Sequence, residues 1–247
     1  MDHGHLDVPY DEEAHRRPPE INVDGVQYER IPIKTHVVLP NEPLVPVVEK
    51  YALELLRDGD WLFMTEKMVA GSQGRAYPVD EIKPRPLAVW LSKRVVRTST
   101  GIGLGIPETM EWAIREVGTP RILLAAAVSV VSKRLFKRTG DFYRVTGPKA
   151  RGIDGPGYPT IPPYDEMVVL TAAKPGQTSE KVRDALAGHG KRVEVFLVDI
   201  NDLGGNVLGS TTNRKTELLV GRILRDNPIG QGHESTPLGI IRRVTAG

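Results

Sequence analysis

The chain has 247 residues, 40% hydrophobic and 26% charged, a balance that suits one large domain or two small ones around a buried core. Lys and Arg total 33 against 31 Asp and Glu, for a net charge of +2, and no basic stripe with interleaved aromatics supports nucleic-acid binding. With no cysteine at all, disulfides, thiolate metal ligands and a cysteine nucleophile are excluded.

Residues 1–25 mix charges, prolines and three of the six histidines without an apolar period. They are expected to form a flexible tail, too polar for a signal peptide, ahead of a folded core over 26–247 with room for two intertwined subdomains. Tyr28 to Leu39 is β-branched and partly alternating, which predicts a strand. Leu44 to Leu56 carries apolar residues at helical spacing, and Asp58-Gly59-Asp60 ends that helix. The apolar run from Trp61 to Val69 predicts a buried strand, and Pro86 to Arg97 a helix. Gly101, Gly103 and Gly105 lead to Pro107, which suits a first helical turn, and a further helix restarts at Pro120 and runs to Phe136. Within it Ile122 to Ser132 is the longest apolar stretch, too short to span a bilayer, so a buried core helix is expected.

Phe142 to Val145 predicts a short strand, and Gly147 to Glu166 a loop dense in Gly and Pro, long enough to carry function. Met167 to Ala172 reads as a strand, Ser179 to Ala187 as a helix capped by Ser179, and Val193 to Ile200 as a strong strand. Lys215 to Arg225 closes the helices and Leu238 to Val244 the strands. Helices and strands interleave, so the expected class is α/β, a mixed sheet with flanking helices.

Common catalytic templates fail. There is no GxxxxGK followed by Ser or Thr, no HExxH and no GxSxG. What remains is oxygen chemistry on loops. Asp154 lies between glycines, Asp199 ends an apolar strand, and Asn227 to Ser235 is a polar, glycine-rich loop. Carboxylate, amide and phosphate oxygens are the ligands of hard cations such as magnesium and manganese.

Four segments, in order, resemble the coenzyme F420-0:L-glutamate (γ-glutamyl) ligase family. Leu56 to Val69 with Gln73-Gly74-Arg75 resembles its DGD…TSK…GR segment. Gly152-Ile153-Asp154 resembles its GID motif, and Val198-Asp199 its second aspartate-bearing strand end. Gly230 to Pro237 resembles its closing MGQGDEGTP segment.

The resemblance implies that family's fold and a cytoplasmic homodimer. It implies a GTP- and metal-dependent amide ligase that activates a substrate carboxylate as an acyl phosphate for attack by the amine of glutamate. Its partners would be a nucleoside triphosphate, glutamate and a carboxylate-bearing small molecule, with no nucleic acid and no membrane. By the same resemblance Asp154 and Asp199 would be catalytic and hold Mg²⁺ or Mn²⁺ at one metal–triphosphate site, with Gln231 and Glu234 contributing metal ligands. Thr65, Glu66, Lys67, Gly230, Gln231 and Gly232 would line the nucleotide. The chain departs from the pattern at Gly155-Pro156 after the first aspartate, at Glu66 in place of a hydroxyl, and at Ile200 after the second aspartate. Two alternatives stay open: a ligase for a folate-type or peptide-type carboxylate, and a non-catalytic nucleotide- or metabolite-binding protein on the same fold.

Overall fold

The computed structural model describes residues 18–95, 103–138, 140–157, 160–201, 204–230 and 235–244. The elements begin with β1 (Glu20–Val23), β2 (Val26–Ile33), α1 (Leu44–Ala52), β3 (Trp61–Thr65), α2 (Glu66–Ser72) and β4 (Ala76–Pro78). A helical stretch follows: α3 (Pro86–Ser92), α4 (Pro107–Val117), α5 (Thr119–Phe136), α6 (Asp141–Thr146) and α7 (Pro148–Arg151). Then come β5 (Met167–Val169), α8 (Pro175–Gly188), β6 (Glu194–Asn201), β7 (Gly204–Ser210), α9 (Arg214–Ile223) and β8 (Leu238–Arg243). The chain forms two compact units and passes between them. Among the described residues, one holds those up to His36, Val45–Thr65 and those from Lys174 on; the other holds Val37–Leu44 and those between Glu66 and Ala173.

The first unit is built on a six-stranded sheet in the order β1-β2-β8-β3-β6-β7, counted among the described residues. Strands β3 and β6 run parallel while the other neighbours are antiparallel, so the sheet is mixed. Side chains alternate between its faces. Phe63, Phe196, Val198 and Ile241 share a cluster with Val220 and Ile223 of α9. The opposite face meets α8. A Cβ on Gly209 would lie 2.4 Å from the Gly176 nitrogen, so only glycine lets this helix approach β7.

The second unit packs α3, α4 and α5 with the short β4–β5 pair around Leu104, Met110, Ile114, Ile122, Ile153 and Leu170. One of its buried carboxylates, Glu111, accepts from both Arg85 and Arg115 at 2.7–3.2 Å.

Several sequence expectations need correction. Glu20–Val23, assigned to the tail, is an edge strand paired with β2 through a two-residue Asp24-Gly25 turn, both at positive φ. It is held from below as well. The buried Arg30 guanidinium donates to the Pro18 carbonyl at 2.5 Å and pairs with Asp226. The stretch from Trp61 to Val69 is not one strand, since β3 passes directly into α2 at Glu66; a short run buried on all sides carries no period to tell strand from helix.

Phe142 to Val145 is helical within α6, whose Phe142 and Tyr143 pack on the core, so tertiary contact overrides β propensity. Ser179 does not cap α8. Pro175 opens that helix four residues earlier, and the buried Ser179 hydroxyl donates to the Pro175 carbonyl at 3.1 Å. The expected core helix α5 buries only Ile122 and Ala125. No helix among the described residues is long and apolar enough to cross a membrane.

Candidate functional site

The predicted site residues fall in different units, and each group has its own geometry. In the second unit, α2 begins with Glu66 and Lys67, and the loop after α7 carries Gly152 and Asp154. The backbone of Asp154 is pinned to β5 by reciprocal bonds with Val169, at 2.9 and 3.0 Å. Its carboxylate then points to Lys67, whose Nζ lies 2.7 Å from Oδ2 and also donates to the Gly152 carbonyl at 2.9 Å. Two of the predicted residues are thereby brought together. The pair is open to water, with the side chains 39% and 57% exposed. An ion pair so placed contributes about 0–1 kcal/mol and yields to a competing ligand at little cost.

Glu66 is buried and accepts from the Ala172 N–H at 3.2 Å. Gln73 exchanges two hydrogen bonds with the Ala173 backbone, and Arg75 donates to the Thr171 carbonyl at 2.6 Å while pairing with Glu116. Three side chains from α2 and its exit thus grip the backbone of 171–173. Sequence reasoning missed this grip, because Ala172 and Ala173 contribute only peptide groups and leave no side-chain signature. Gly152 is constrained too, since a Cβ there would sit 2.4 Å from Thr171 Cγ2. Segment Val37–Leu44 is tied to the same place by the Tyr164 hydroxyl, which donates to the Val38 carbonyl at 2.5 Å. Burial, with the nearby Glu42 carboxylate, pushes the Tyr164 hydroxyl up to about 12.

In the first unit, Thr65 closes β3 opposite Val198 of β6, and its N–H donates to the Pro237 carbonyl at 2.9 Å. The start of β8 and Pro237 just before it therefore meet the C-terminal end of β3. Ser235 is bound to Thr35 through backbone and hydroxyl, and the Thr236 hydroxyl donates to the Ile229 carbonyl at 2.5 Å.

Asp199 lies inside β6 rather than at its end, paired with Asn206 of β7. By strand alternation Asp199 and Asn201 project from one face, while Thr65, Val198 and Ile200 lie on the other. Ile200 packs with the α9 cluster, which explains an apolar residue beside the predicted ligand. Gly230 adopts φ 77°, whereas Gln231, Gly232 and Glu234 lie outside the described residues.

Among the described residues no group of three or more His, Cys, Asp or Glu side chains is placed to hold a metal ion. The donors that are present nevertheless suit a hard cation. Asp154 offers an accessible carboxylate, and Asp199 with Asn201 offers two oxygen-bearing side chains on one face.

The family model described as F420-0:Gamma-glutamyl ligase matches residues 32–202. No curated protein matches the chain. The matched span contains Thr65, Glu66, Lys67, Asp154 and Asp199, and leaves out the loop from Gly230.

Proposed function

We propose that this chain, which belongs to the F420-0:Gamma-glutamyl ligase family, uses a nucleoside triphosphate to join a small-molecule carboxylate to the amine of glutamate. The observation that carries the reading is the exposed Lys67–Asp154 pair, two opposite charges held at 2.7 Å by α2 and a β5-anchored loop, and cheap to separate. A lysine and a carboxylate in that state suit the two halves of a metal–nucleotide complex, phosphate oxygens for the ammonium and a hard cation for the carboxylate. GTP with Mg²⁺ or Mn²⁺ is the co-substrate on this reading. Asp154 and Asp199 would hold the metal, which would neutralise charge on the transferring phosphoryl group.

Lys67 binds phosphate oxygens through the Nζ now on Asp154, and the Gly152 carbonyl keeps the ammonium oriented. Thr65 and the Gly230 loop border the nucleotide. In the overall change a carboxylate oxygen of the acceptor takes the terminal phosphoryl group and the nucleoside diphosphate leaves. The glutamate nitrogen then bonds to the acyl carbon, inorganic phosphate departs and the amine gives up a proton. A homodimer in the cytoplasm accompanies this reading.

The test is release of inorganic phosphate from GTP with manganese, glutamate and a panel of carboxylate acceptors. Phosphate release that depends on an acceptor supports the ligase. Tight GTP binding without turnover for any acceptor would instead make the chain a nucleotide-binding protein on the ligase fold.

A further inference from the structure

Helix α5 buries one side in its own unit and leaves a broad, mainly apolar arc uncovered. Its sequence contains no acidic residue, and its charges are Arg121, Lys133 and Arg134. Ile122 and Ala125 are buried in their own unit, and α6 packs along the helix. At about 100° per residue, Leu123, Leu124, Val128, Val130, Val131 and Leu135 fall on the opposite arc, roughly 160° wide. All six are exposed, Leu124 at 58%, Val130 at 61% and Leu135 at 69%. Together they leave on the order of 500 Å² of apolar surface in water, interrupted by Arg134 toward the C-terminal end of the arc, more than scattered surface residues account for. That area matches the apolar core of a standard interface, which covers roughly 800 Å² per partner with its polar rim.

Leu124, Val128, Val131 and Leu135 are spaced four, three and four apart, the repeat of a helix-pair seam. We propose that this arc is the contact between two copies of the chain, with their α5 helices antiparallel across a twofold axis between Val128 and Val131. The proposal deepens the homodimer that accompanies the proposed function, by naming its surface.

Antiparallel pairing sets Leu124 against Leu135 and Val128 against Val131, leucine on leucine and valine on valine. An isologous contact requires this self-complementarity. Charge selects the same orientation. Lys133, Arg134 and Lys137 cluster at the C-terminal end, so parallel helices would press two basic clusters together. Antiparallel ones set Lys133 and Arg134 roughly 11–14 Å from their counterparts along the axis and Lys137 about 22 Å, beyond a screening distance of about 8 Å at physiological salt. A lipid surface fits less well. Helices that lie on membranes pair their apolar face with a strongly charged one turned to water, whereas the other side of α5 sets Ile122 and Ala125 into its own unit and Ser132 against Asp141.

The chain's lack of cysteine makes crosslinking a clean probe. Wild-type protein at micromolar concentration should sediment at twice its 27.2 kDa mass. The double variant Leu124→Lys, Val131→Lys should sediment as a monomer with an unchanged circular dichroism spectrum, since both side chains are exposed. Val128→Cys and Val131→Cys proteins, mixed and oxidised, should form the mixed disulfide in preference to either homodimer disulfide.

A monomeric wild type overturns the proposal, and its flotation with phosphatidylglycerol vesicles would reassign the arc to lipid. A dimer that the two lysines leave intact overturns the surface while the homodimer stands. Dominant homodimer disulfides overturn the antiparallel orientation.

Discussion

Lys67 sits at the first turn of a helix, where a cation gains nothing from the helix dipole, and is held instead by Asp154 and the Gly152 carbonyl. Its exposed ion pair contributes at most about 1 kcal/mol. Lys67→Met should therefore leave thermal unfolding almost unchanged and weaken GTP binding about tenfold or more, read by calorimetric titration. Equal affinity for variant and wild type would remove Lys67 from the nucleotide site. Asp154→Asn and Asp199→Asn should each abolish acceptor-dependent phosphate release while the far-ultraviolet spectrum stays native. Glu111 behaves oppositely, because it is buried and bound. Burial pushes its carboxyl up, but hydrogen bonds from the Arg85 side chain and backbone and from Arg115 outweigh that and hold it at about 2. Removing the charge by Glu111→Gln should destabilise the protein by about 2 kcal/mol in urea unfolding, since both arginines remain partly in water.

Strand β1 shows how a local signal is obscured by its surroundings. Asp24-Gly25 between two β-branched valines is a strong two-residue hairpin signal, yet the charged, proline-rich residues before it make the whole segment read as tail. Folded, the strand covers the α9 cluster with Ile21 and Val23, and Arg222 pairs with Asp24. Deletion of residues 1–17 should leave the melting temperature within a degree or two. Deletion of residues 1–24 removes the strand and takes the Pro18 carbonyl from the buried Arg30, and should cost about 2–4 kcal/mol. Identical melting of the two truncations would show that β1 contributes nothing. At the other site element, Gly152→Ala forces the Asp154 loop away from Thr171, with an expected loss of about 1–3 kcal/mol and weakened metal binding.

Across the whole molecule the titrating groups point to acid as the destabilising direction. Glu111 has a folded pKa below its ordinary 4.5, so its contribution is complete above that value and fades as pH falls toward 2. Asp141 is also held low, first by the Ser132 hydroxyl and then by Arg138 and Arg144, and adds to the same limb. Urea midpoints should therefore be level from pH 5 to 8 and fall below about 4.5, with a shallower fall in Glu111→Gln. A midpoint unchanged at pH 3 would contradict the buried cluster. The sequence by itself determined the mixed α/β class, the strong strands at Trp61 and Val193, and the segments that identify the family, because apolar runs and loop chemistry are local. Tertiary structure alone decided that β3 passes into a helix at Glu66, that Glu66 grips Ala172, that Lys67 meets Asp154, and that α5 lies open to water. Each of these depends on which distant residue fills the space beside a side chain, and a run of neighbours along the chain carries no record of that.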